Sequence, residues 1–190
     1  LEQIRTDLND YIDTSISEFM GYRGLSGEWN RWNSSNPLGS VLSIGFKFPA
    51  SGFEYGSVVS IANGPNRWVF GTASTPIDDY HPVSGNREFG FTRNGSQITF
   101  YTRGVDRIST DAMRAGNAVA DLLGPGGFEQ ADALWTSLFE EGIAEDLGVL
   151  GPSGVAFDST LYRTDYDAIQ DLFDDDPNHD ASALNSLGCN

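Results

Sequence analysis

Cysteine is nearly missing from this sequence: the single residue, Cys189, stands next to the end and allows no internal disulfide. It leaves an intermolecular bridge through the tail as the alternative. Stability must then come from an apolar core, which 190 residues are long enough to build as one domain. Lysine is equally scarce, with Lys47 alone beside ten Arg. No apolar run approaches the roughly 18 residues of a membrane-spanning helix, so the chain reads as a soluble globular protein without a membrane span. No G-x-G-x-x-G or P-loop spacing occurs, which disfavours nucleotide cofactors, and no G-x-S-x-G supports a serine hydrolase. No Cys or His cluster supports zinc. The expected cofactors and metals are therefore none. The chain opens at Leu1 with no basic-then-apolar leader, so it reads as a processed product or a piece of something longer.

Charge is present in excess of one sign, and its distribution is informative. The formal net charge is −16. Residues 1–29 carry two Arg against six acids, residues 30–110 seven bases against five acids, and residues 111–190 two Arg against sixteen acids. Only the middle, at +2, can offer an anion-binding surface. Duplex DNA is excluded as a partner by the overall sign. The acidic C-terminal part reads either as a hydrated, salt-adapted surface or as a face for a protein partner.

Hydrophobic periodicity predicts an α+β fold. Ile4, Leu8, Ile12, Ile16 and Phe19 recur at helical spacing over 2–20, a helix that ends before Gly21. Residues 22–40 are loop-like but hold Trp29 and Trp32, which serve as buried anchors or as a sugar-stacking, ligand-binding platform. Strands follow over 41–48, 57–63 and 67–74, the last two joined at Gly64-Pro65. A polar loop, TPIDDYHPVSG, leads to a hairpin over 86–103. This makes a central antiparallel sheet of about five strands, a meander or small barrel. Helices are predicted over 110–123 and from Phe128 to Leu147, with a short one around Tyr166 to Phe173. The single α+β domain spans 1–175, and 176–190 form an acidic, polar tail.

The hairpin carries most of the chemistry. Asn94-Gly95 suits a two-residue type I′ turn, and counting outward from it places Glu88 opposite Tyr101 and Asn86 opposite Arg103. Phe89, Phe91, Ile98 and Phe100 then share one face, while Asn86, Glu88, Tyr101 and Arg103 share the other. Arg103 would stabilise developing negative charge, and Glu88 or His81 would act as general base or acid, with Tyr101 beside them. The same groups also make sense as a cross-strand ion pair on a solvated face. Arg87 falls at the end of the apolar face, where Asp106, Asp78 or Asp79 would pair it. His81, before Pro82 in a loop, is expected to be accessible and to titrate near neutrality. Gly104 to Arg107 would leave the strand for a helix and turn backbone amides toward an anion, with Arg107 alongside. In the tail, Asp174, Asp176, Asn178 and Asp180 alternate like the start of a calcium loop, but His179 and Asn185 occupy the positions of its required Gly and Glu.

The pair HPVSGNREFG and ITFYTRGVDR resembles a motif pair of uncharacterised bacterial domains near the C-termini of large secreted or toxin-like proteins. The resemblance covers about thirty residues and implies an exported bacterial setting without naming an activity. At the level of architecture, helices followed by an antiparallel sheet bearing His, Glu and Arg resemble the barnase-like ribonuclease toxins, whose basic charge this chain lacks. The reading that follows is a bacterial effector-type hydrolase or transferase acting on an anionic small molecule or polymer, with Glu88, Arg103, His81 and Tyr101 as working groups. Asn86, Arg87, Arg107, Trp29 and Trp32 are the candidate ligand-binding residues. The competing readings are a non-catalytic module binding a ligand or partner, and a structural domain.

Overall fold

The computed structural model describes residues 1–48, 52–79, 81, 83–108 and 127–143, all within the compact unit Leu1–Gly154. The predicted helices over 110–123 and 166–173, the domain end at 175, the tail and Cys189 lie outside the described residues. Among the described residues the fold is α+β: a six-stranded antiparallel meander, curled around its core, with strands in the order β1-β2-β3-β4-β5-β6. The strands are β1 (Ser17–Gly21), β2 (Val41–Phe48), β3 (Gly52–Gly64), β4 (Arg67–Ala73), β5 (Val83–Asn94) and β6 (Gln97–Ile108).

The first strand replaces the second half of the expected N-terminal helix. Helix α1 covers only Glu2–Thr6, a 3-10 turn follows at Leu8–Asp10, and Ser17–Gly21 pairs with β2. The apolar residues are buried as the periodicity required, since Ile4, Leu8, Ile12 and Phe19 all line the core, but they do so from α1, the 3-10 turn, the bend after it and β1. Asn9 explains the break. Its amide donates to the Phe19 carbonyl at 2.7 Å and accepts from the Phe19 N–H at 2.8 Å, holding β1 in place by a side chain that competes with helical bonding.

Helix α2 (Glu28–Trp32) packs beneath the sheet. Trp32 is fully buried, and its indole N–H donates to the Arg5 carbonyl at 2.9 Å. Arg5 is itself buried. It donates to the Trp32 carbonyl, to the Ser34 carbonyl at 3.1 Å and to Glu2, and so straps α1 to α2. Trp32 also meets Phe70 and Trp68, and Trp68 stacks on Phe89 at 5.1 Å. This aromatic layer is the centre of the core.

Helix α3 (Gly127–Thr136) continues as a π-helical segment, Ser137–Ile143. Leu134, Leu138 and Ile143 are buried, and Trp135 sits edge-on to Phe89 at 4.9 Å, so the predicted helix covers the inner face of the sheet as far as it is described; its last predicted residues, 144–147, lie outside the described residues. No helix among the described residues is long and apolar enough to cross a membrane.

The β4–β5 connection fills a notch. β4 stops at Ala73, opposite Ser57, while β3 runs on to Gly52 and β5 begins only at Val83. The gap left beside β3 is closed by a tight turn in which Thr75 and Asp79 exchange both backbone bonds, with Asp79 at φ 56°. The turn drives Asp78 onto the outer face, where its carboxylate is fully buried. Arg23 donates to one oxygen at 2.7 Å and 3.0 Å; Ser43 and Ser57 donate to the other, Ser57 at 2.8 Å. Burial alone would raise the carboxyl pKa, but the bonds from Ser43, Arg23 and Ser57 outweigh it and hold the group below its ordinary value.

This clasp joins the β1–α2 loop, β2, β3 and the notch turn through one carboxylate. Replacing Asp78 with Ala should therefore cost about 2 kcal/mol or more in urea unfolding, because it strands two buried hydroxyls and a guanidinium at once. Arg23→Met should cost less, since Arg23 is 37% exposed and water can replace it. Wild-type stability in Asp78→Ala would show that the clasp carries no weight.

Candidate functional site

The site begins with a turn. Asn94 pairs with Gln97, so the two loop residues are Gly95 and Ser96 rather than Asn94 and Gly95. Gly95 has φ +61° and Ser96 does not enter the left-handed region, the pattern of a turn with Gly at its first central position. The register is displaced by two residues from the expected one, which preserves both faces and changes every partner. Cross-strand chemistry accounts for the choice. The observed register sets Phe91 opposite Phe100 with rings 5.9 Å apart, Glu88 opposite Arg103, and Tyr101 opposite Gly90.

The outer face of β4, β5 and β6 can be read as rows across the sheet. Arg67, Gly90 and Tyr101 form one row, Val69, Glu88 and Arg103 the next, and Gly71, Asn86 and Val105 the third. Gly90 matters because a Cβ there would lie 2.7 Å from the Tyr101 hydroxyl; without one, the phenol leans across the strand. It reaches Glu88 Oε1 at 2.7 Å. Arg103 donates to the same oxygen at 3.0 Å, and Arg67 to Oε2 at 3.3 Å. Glu88 is 13% exposed, whereas Arg67 and Arg103 are 56% and 68% exposed. A shielded carboxylate is thus held between two open guanidiniums. Beside it lies an open groove lined by Val69, Asn86, Glu88, Arg103, Gly104 and Val105.

The electrostatics follow from these contacts. The hydrogen bond from Tyr101 is the main cause that holds the Glu88 carboxyl below its ordinary pKa; Arg103 and Arg67 add to it, against a smaller effect of burial. The same bond raises the Tyr101 phenol above its ordinary value, because ionising it would set two anions face to face. Both shifts favour a carboxylate that accepts and a phenol that donates.

Other nominated residues lie elsewhere. His81 is buried, not an accessible loop residue. Its ring packs over Gly56, where a Cβ would stand 2.5 Å from it, and edge-on to Phe46 at 5.5 Å. Gly56 pairs with Ile44, so this is the inner face, across the sheet from Glu88. The Nδ1 atom lies 2.9 Å from the Val83 carbonyl and 3.2 Å from the Val83 N–H. Burial lowers the imidazole pKa, against opposing effects of the Val83 backbone and Asp106. Arg87 is also on the inner face, paired with Asp106 at 2.8 Å and set against the Trp135 ring at 5.5 Å. Asp78, an alternative partner for it, is taken by Arg23 instead.

Trp32 is fully enclosed and Trp29 half-buried against the core, so the pair forms no exposed stacking platform. Asn86 is exposed on the outer face. Gly104 to Arg107 do not turn into a helix: β6 continues to Ile108, which removes the expected anion site at a helix start. Among the described residues no group of three His, Cys, Asp or Glu side chains could hold a metal.

The sequence reading missed Arg67. It is brought to Glu88 by β4–β5 pairing, and the connection between those strands is an irregular nine-residue passage from which no register can be counted.

No protein-family model matches the sequence, and comparison with curated proteins and with solved structures returned no match.

Because His81 is buried with its pKa lowered, the unfolded chain binds a proton more readily than the folded one. Its stabilising contribution is complete above the unfolded value of about 6.5 and is lost as pH falls from there through the folded value. The melting temperature of the wild type should therefore drop more between pH 7 and pH 5 than that of His81→Asn. Parallel declines would show that His81 does not contribute to the pH dependence.

Proposed function

We propose that the outer face of β4–β6 is a recognition site for an anionic group of the carboxylate or phosphate type, and that the domain acts through it as a binding module. The observation that carries this reading is the excess of cation. Two guanidiniums meet one carboxylate, which leaves a local charge of +1 on strands where Arg67 and Arg103 keep most of their surface open. Each guanidinium has five N–H donors and gives few of them to Glu88, so each retains donors for a planar or tetrahedral anion. Asn86 and the aliphatic wall of Val69 and Val105 give the adjoining groove one polar and two apolar contacts.

Binding is favoured over catalysis by the proton inventory of that face. Glu88 accepts from three donors and sits below the range of a base poised for neutral pH. Tyr101 is a poorer proton donor than free tyrosine. His81, the remaining group nominated for proton transfer, is on the inner face. Glu88 is better understood as the internal anion that orients two arginines and prevents their mutual repulsion in the empty site.

Titration with inorganic phosphate and with glutarate, followed by backbone amide shifts, tests the reading. The perturbed amides should cluster on Arg67, Glu88, Arg103 and Val105. Arg103→Gln and Arg67→Gln should each weaken binding by about tenfold, the loss of one charge-assisted hydrogen bond. Glu88→Gln, which raises the local charge to +2, should strengthen it. Anion affinity that is unchanged in both arginine variants would refute the proposal.

A further inference from the structure

We infer that the anion recognised at Arg103 belongs to an acidic, extended segment of another protein, which adds to the sheet as a seventh strand along β6. This inference rests on the anion-binding reading above and adds to it the nature of the ligand. Among the described residues β6 is the last strand of the sheet, and it is twelve residues long. Its exposure is high at Gln97 to Thr99 and again at Arg103 to Val105, with Val105 79% exposed. Gly104 is among the exposed residues, and since glycine has no side chain its exposure is that of the backbone. A long open edge of this kind is a template for strand addition, and proteins that do not use such an edge blunt it by shortening, bulging, covering, proline or charged side chains; the exposed charge here, Arg103, repels a cationic strand and attracts an acidic one. β6 has no proline, and its pairing with β5 runs without a bulge from Asn94–Gln97 to Val83–Ile108.

The register says which groups face outward. A two-residue turn makes Asn94–Gln97 a hydrogen-bonded pair, so Gln97, Thr99, Tyr101, Arg103 and Val105 bond back to β5. Phe91 N–H bonding to Asn66 on the β4 side fits that alternation. The N–H and C=O groups of Ile98, Phe100, Thr102 and Gly104 then point away from the sheet. An added strand would take its main-chain bonds from these four residues and place alternate side chains on the outer face beside Tyr101, Arg103 and Val105.

Charge selects the occupant. Beside Arg103 an incoming acidic side chain finds guanidinium donors that Glu88 does not use, because Glu88 already has Arg67 on its second oxygen. Beside Val105 an aliphatic side chain is suited. A second copy of β6 would not do this: the residues it presents on the outer face, Gln97, Thr99, Tyr101, Arg103 and Val105, include no carboxylate, and self-pairing would bring arginine toward arginine. Strand addition supplies affinity through the backbone, and the Glu or Asp beside Arg103 supplies specificity.

The test uses a synthetic peptide of about ten residues, β-prone, with Glu and Val at successive outward positions and soluble flanks. A second version is N-methylated at the amides that would face β6, which keeps every side chain and removes the edge bonds. Expected are slowed hydrogen exchange at the Ile98, Phe100, Thr102 and Gly104 amides on adding the unmodified peptide, loss of binding on N-methylation, and about tenfold weaker binding in Arg103→Gln. No binding of the unmodified peptide, or equal binding of the methylated one, overturns strand addition; the anion reading survives if glutarate still depends on Arg103. Peptide binding that is unchanged in Arg103→Gln overturns the acidic occupant, while the anion reading is decided separately by the glutarate titration of the arginine variants. Concentration-dependent protection of the same four amides without any peptide would assign the edge to a second copy instead.

Discussion

The site depends on one backbone conformation, the positive φ of Gly95. A two-residue connection leaves no slack, so the residue that accepts the left-handed conformation fixes which residues of β5 and β6 stand opposite each other for eleven further pairs. From that single choice follow the ion pair of Glu88 with Arg103, the seat of Tyr101 over Gly90, the aromatic pair of Phe91 and Phe100, and the identity of the outward-facing amides. Arg93 supports the turn by donating to the Gly95 carbonyl at 2.9 Å. A displacement by two residues would keep Phe89 inside and Glu88 outside, and so would keep the fold, while dissolving the constellation.

The second constraint is the brevity of β4. Because it ends at Ala73, the passage to β5 must close a notch in the sheet, and it does so with an acid on one face and an imidazole on the other. Asp78 is bound by donors from three separate segments, and His81 fits only because Gly56 has no side chain. Both polar groups lie well away from solvent. They are understood without catalysis: a buried carboxylate that accepts four hydrogen bonds is compensated for its desolvation, and it fixes the turn that the missing length of β4 makes necessary.

These two constraints mark how far the sequence could be read. Alternation of side chains in β2, β5 and β6 is local, so the faces of Phe89 and Glu88 were legible from period alone, as was the apolar stripe of Leu134 and Leu138. The burial of Ile4, Leu8, Ile12 and Phe19 was legible too, but not the change of element among them. Helical spacing and burial by successive short segments produce the same pattern over twenty residues, and the deciding contact is the side chain of Asn9. Accessibility of His81 was misread because a loop residue is normally exposed, and nothing near it in sequence announces that Gly56 and Phe46 will enclose it. The candidate site was half legible. Glu88, Tyr101 and Arg103 lie on one hairpin, but Arg67 arrives through an irregular connection that carries no countable register.

The overall charge of −16 opposes the approach of an anion at long range, and the distances involved decide the matter. Charges beyond about 8 Å are largely screened at physiological ionic strength, so an approaching carboxylate is governed at close range by Arg103 and Arg67 rather than by the chain as a whole. At low salt the sum of the charges acts over longer distances and opposes the approach. Added salt thus weakens both the short-range attraction and the long-range repulsion, and affinity for a small anion should vary less with ionic strength than at a site on a basic protein. An edge strand reinforces this behaviour, because main-chain hydrogen bonds between neutral groups are not screened. On the proposed reading, a surface so arranged would refuse polyanions held at a distance and accept a carboxylate already brought into register by a backbone, which is the discrimination a strand-binding face on an acidic protein would require.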